Sequence, residues 1–169
     1  MVLTAFLLMG VLARLVPHAP NVTPVTAIAL FGATCLSRRW SLILPLGILV
    51  ISDLALGLHE LIAFTWGSVL LIGLIGWWLR RRPSPGRTAM ASVAGSTIFF
   101  LVTNVGVWWL GDGGTMYPRT ASGLLQCYAA ALPFYRNGLI GDLLYTGAFF
   151  SLYALATRRT HAAAVSTTR

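Results

Sequence analysis

Only four acidic residues stand against twelve arginines in this chain, and two of the acids fall inside apolar sequence. Asp53 sits in "ILVISDLALGLHE" and Asp142 in "NGLIGDLLYT". A carboxylate in such a setting must pair with a cation, hold a ligand or work as an acid or base, because an unmet charge in hydrocarbon costs about 2.5–3.5 kcal/mol. Arg14 and Arg136 lie outside the arginine clusters and are the natural partners: one is expected to pair with Asp53 and the other with Asp142. Spacing supports an inward polar face on the last apolar run, where Gly138, Asp142 and Tyr145 recur at i, i+4 and i+7. His59 and Glu60 follow Asp53 closely, but adjacent helical residues diverge by about 100°, so they make a poor metal pair and no metal site is expected. Trp66 and Trp108, beside these polar residues, could face a ligand as well as sit at a membrane interface.

These residues belong to a chain that is 57% hydrophobic and only 9% charged over 169 residues, far from the usual soluble balance. The apolar residues come in long runs, which identifies a membrane protein with the lipid bilayer as its main surroundings. The charge of +8 comes from arginine alone and is gathered in short clusters, without the aromatic interleaving or reader motifs of a nucleic-acid binder. Cys35 and Cys127 lack metal-ligand spacing. There is no nucleophile elbow, HExxH motif or phosphate loop, so no cofactor is implied and ATP cannot drive the chain from within. "GDGG" at 111–114 reads as a turn.

The elements that must position the polar residues are helices, since membrane-spanning segments satisfy their own backbone and no period-two pattern appears. Apolar runs fall at about 2–16, 23–37, 40–58, 61–79, 88–110 and 134–157. The last four reach the length of roughly 20 residues that crosses a bilayer, and the first two are short enough to be buried or re-entrant. Clusters at Arg38 and Arg39, at Arg80, Arg81, Arg82 and Arg87, and at Arg158 and Arg159 mark alternate connections as cytoplasmic. The expected fold is an all-α bundle of six transmembrane helices with both termini cytoplasmic: one domain over 1–159 and a flexible tail over 160–169. In the last outer loop, Ala121 to Leu132 reads as a short amphipathic segment bounded by Pro118 and Pro133. This topology brings Arg14, His18, Asp53, His59, Asn104, Trp108, Arg136, Asn137 and Asp142 toward the outer side.

The stretches "ARLVPHAPNVTPVTAIALFGATCLSRRW", "PLGILVISDLALGLHE", "FLVTNVGVWW" and "YPRTASGLLQCYAAALPFYRNGLIGDLLYT" give the chain a resemblance to a family of small bacterial integral membrane proteins. That family in turn resembles the substrate-binding S components of energy-coupling factor vitamin transporters. The resemblance implies a bacterial inner-membrane, multi-pass protein that binds a vitamin-like molecule near its outer face. It also implies a possible partner, a transmembrane coupling protein with two ATPases. Mapped onto this topology, the implied ligand contacts are His18 and Asn21 in the first outer loop, Asp53 and His59, then Asn104, Tyr117, Arg119, Arg136 and Asn137. S components commonly dock through Ala-x-x-x-Ala on the first helix; here that spacing holds Ala5 and Met9, while Ala29 and Ala33 form a small pair on the second.

The leading expectation is therefore non-enzymatic substrate binding and uptake. An integral-membrane enzyme acting on a lipid or quinone through Asp53, His59 and Asp142 is the alternative, and a non-catalytic assembly protein is a second.

Overall fold

The computed structural model describes residues 2–37 and 39–167. Six helices follow one another: α1 (Val2–Leu15), α2 (Val25–Cys35), α3 (Trp40–Leu56), α4 (Ile62–Leu79), α5 (Pro85–Gly114) and α6 (Ala121–Thr167). No strand occurs among the described residues. Three of the helices, α4, α5 and α6, are long and apolar enough to cross a membrane. The third run, expected to span, falls in the shorter group: α3 stops at Leu56 after 17 residues because Gly57 turns the chain at φ 103°, a backbone region that side chains disfavour.

At the centre lies α2, whose residues Val25 to Thr34 are all buried. Its sequence, "VTAIALFGATC", is apolar on every side and rich in small residues, the pattern of a helix enclosed by protein. Eleven residues reach about 16 Å, roughly half a hydrocarbon core. The packing that encloses it is close. At Gly76 of α4 an added Cβ would overlap the Cβ of Ala33 and stand 3.0 Å from the Leu30 carbonyl oxygen. Thr34 Oγ1 reaches the Gly76 carbonyl across that contact at 3.3 Å. On the opposite side Phe31 packs against Phe6 of α1 and Phe149, Phe150 and Tyr153 of α6.

The small pair Ala29 and Ala33 is thus internal, with both residues fully buried. It is unavailable as a docking face.

Two helix ends follow directly from sequence. Ser84 caps α5, its hydroxyl accepting the Arg87 backbone N–H at 3.4 Å, with Pro85 in the first turn where its missing N–H is harmless. At the other end "GDGG" makes the turn, with Asp112 at φ 52° and Gly113 at φ 63°. The segment from Ala121 to Leu132 corrects the expectation of a separate outer piece: it forms the first turns of α6, which runs unbroken through Pro133. Proline deletes one rung and forces no end here, although Pro133 and its neighbours Leu132 and Phe134 are exposed. The backbone of α6 also continues through the expected tail to Thr167. Arg38, Thr168, Arg169 and the side chains of Arg158 and Arg159 lie outside the described residues, so the arginine clusters are represented by Arg39, Arg80, Arg81, Arg82 and Arg87.

Candidate functional site

Two buried carboxylates organise the end of the bundle remote from the α4–α5 turn. The first, Asp53, occupies the last turn of α3, facing Arg14 in the last turn of α1. Arg14 Nη2 meets Asp53 Oδ1 at 2.5 Å, and the indole N–H of Trp66 donates to Asp53 Oδ2 at 2.9 Å. His59 Nε2 stands 4.0 Å from the same oxygen. Three helices are tied by one acid whose side chain is only 1% exposed. Both of its oxygens are occupied.

Asp142 is handled differently. Its Oδ2 lies 2.6 Å from Ser96 Oγ of α5, and Thr26, in the first turn of α2, supplies a second side-chain hydrogen bond. One turn further along α6, Thr146 meets Ser92 at 3.3 Å. No arginine pairs with Asp142 among the described residues. The expected Arg136–Asp142 pair is absent because six residues of helix turn Arg136 about 240° away, onto an exposed face.

Above Asp142 opens a cavity of about 650 Å³, within the range of roughly 300–1,000 Å³ typical of small-molecule sites. Its polar walls include Arg14, His18, Asn21, Asn104, Tyr117 and Asp142. A second set of residues gives it an apolar body: Phe99 and Phe100 from α5 face Phe134 and Tyr135 from α6. Pro133 falls in the part of α6 that forms this wall. Cys127 is buried in the same wall, its thiol 3.4 Å from the Asn104 carbonyl oxygen.

One family model matches residues 1–164. The chain belongs to DUF6580, a family of unknown function. No curated protein and no solved structure matches this DUF6580 chain.

Of the contacts expected in this DUF6580 chain, His18, Asn21, Asn104 and Tyr117 come together on the cavity. Asp53 is held behind Arg14, and His59 is exposed on the far side of that pair. Trp108 and Arg119 serve the α5–α6 turn. The Trp108 indole donates to the Pro118 carbonyl at 2.9 Å, while Arg119 lies 4.9 Å over the Trp109 ring and donates to its carbonyl at 3.3 Å. Arg136 is exposed and Asn137 half-buried, and neither lines the cavity. Trp66 is spent on Asp53. The trio Asp53, His59 and Asp142, required for acid–base chemistry on a lipid or quinone, does not converge, since only Asp142 reaches the cavity.

Sequence reasoning missed Thr26, Ser96 and the four aromatic rings. A signal was present for the hydroxyls: Thr88, Ser92 and Ser96 recur every four residues along α5, and Asp142 and Thr146 do so on α6. Two such stripes facing each other form a hydroxyl-lined seam.

Proposed function

We propose that this chain is a membrane-embedded binding and uptake protein for a vitamin-sized small molecule. The observation that carries the reading is the cavity of about 650 Å³, apolar in body with a few convergent polar groups, at one end of the bundle. Uptake further requires that all six helices lie in the bilayer, α1 to α3 as short members packed against α4, α5 and α6. The arginine-bearing α4–α5 turn is then cytoplasmic and the cavity opens outward, with both termini inside. The membrane is the bacterial inner membrane. No motif of this chain hydrolyses ATP, so energy comes from a gradient or from a coupling protein with its ATPases. With Ala29 and Ala33 buried, such a partner would meet another face.

Native mass spectrometry of the protein gently purified from its host membrane tests this. A co-purifying vitamin-sized mass that is released on unfolding is the expected result. A bound lipid or quinone, with no small solute in any preparation, would overturn it.

A further inference from the structure

Resting on that reading of the cavity as a small-molecule site, we propose that its ligand is an organic cation whose positively charged nitrogen seats against Asp142. Two features of the cavity agree on this. The first is charge. Arg14 is met by Asp53, so the pair contributes no net charge, whereas Asp142 lines the same space with only hydroxyl groups around it. A carboxyl group in an apolar wall has no counter-charge of its own there, and a bound cation would supply one.

The second is the aromatic lining. Phe99, Phe100, Phe134 and Tyr135 line the space above Asp142. Rings of this kind favour cations within about 6 Å of their centroids. A carboxyl group among aromatic walls matches a protonated amine, a quaternary ammonium or a charged nitrogen heterocycle.

The test is ligand-dependent thermal stabilisation of the purified full chain in detergent, with probes divided by charge. Thiamine and benzyltrimethylammonium are the cations, riboflavin and pyridoxine the neutral probes, and biotin and pantothenate the anions. Stabilisation confined to the cations is expected, with affinity about 10- to 100-fold weaker in Asp142→Asn. Asp142→Glu, which keeps the charge, should keep the preference for cations. If Asp142→Asn fails to fold, the charge ranking on the native protein decides alone. Stabilisation by neutral or anionic probes only, or cation binding unchanged in a folded Asp142→Asn, would overturn this assignment while leaving the cavity a small-molecule site. No stabilisation by any probe would count against both.

Discussion

Asp53 and Asp142 are chemically identical groups, both almost fully buried, near the same end of one bundle, yet their surroundings assign them opposite work. Asp53 is saturated: an arginine on one oxygen, an indole and a nearby histidine on the other. Asp142 is held only by hydroxyls and opens onto a cavity. A buried acid with a matched cation closes a structure, and a buried acid without one leaves it incomplete. Burial of a polar residue is thus a poor guide to function until its partners are counted.

The sharpest way to break this contrast is to remove the cation from the first acid. Arg14→Met should cost about 3–5 kcal/mol in chemical unfolding followed in detergent, because Asp53 is left buried with only the Trp66 indole and the exposed His59 near it. Adding Asp53→Leu should recover most of that loss. If the double variant is as unstable as the single one, the pair does more than cancel charge. A smaller effect is expected at the contact that fixes α2. Gly76→Ala should destabilise by about 1–3 kcal/mol in the same assay, since the new methyl overlaps Ala33.

Asp142→Asn should change stability by about 1 kcal/mol or less, because the amide oxygen can still accept from Ser96 and Thr26. A loss as large as that of Arg14→Met would make both acids structural and end the comparison. Smallest of all, Arg136→Gln should shift the unfolding free energy by no more than about 0.5 kcal/mol, as expected of an exposed residue with no ion pair among the described residues.

The contrast was half legible in the sequence. Scarcity of acids singled out Asp53 and Asp142, and the apolar runs placed α1 to α5 to within a few residues but missed the long N-terminal extension of α6 from Ala121. Arg14 was legible as a partner because a lone arginine ending an apolar helix has few other uses. Arg136 misled, since proximity in sequence says nothing about the face a helix presents six residues later. Ser96 and Thr26 were hidden for a different reason: hydroxyl residues in apolar helices usually bond to their own backbone, as Ser52 does here and as Ser96 also does with the Ser92 carbonyl. Which of them turns outward depends on packing between helices, a long-range property. Pro133 shows another limit, for the local rule that ends a helix at proline does not hold in α6.

The enclosure of α2 has a consequence for how the protein is made. A helix of about 16 Å with no lipid-facing surface has no stable place in a bilayer by itself. The residues that enclose it include Gly76 of α4 and Phe149 of α6, which leave the ribosome later. The second helix must therefore wait for the last one, and assembly of the molecule cannot be completed in the order of its synthesis.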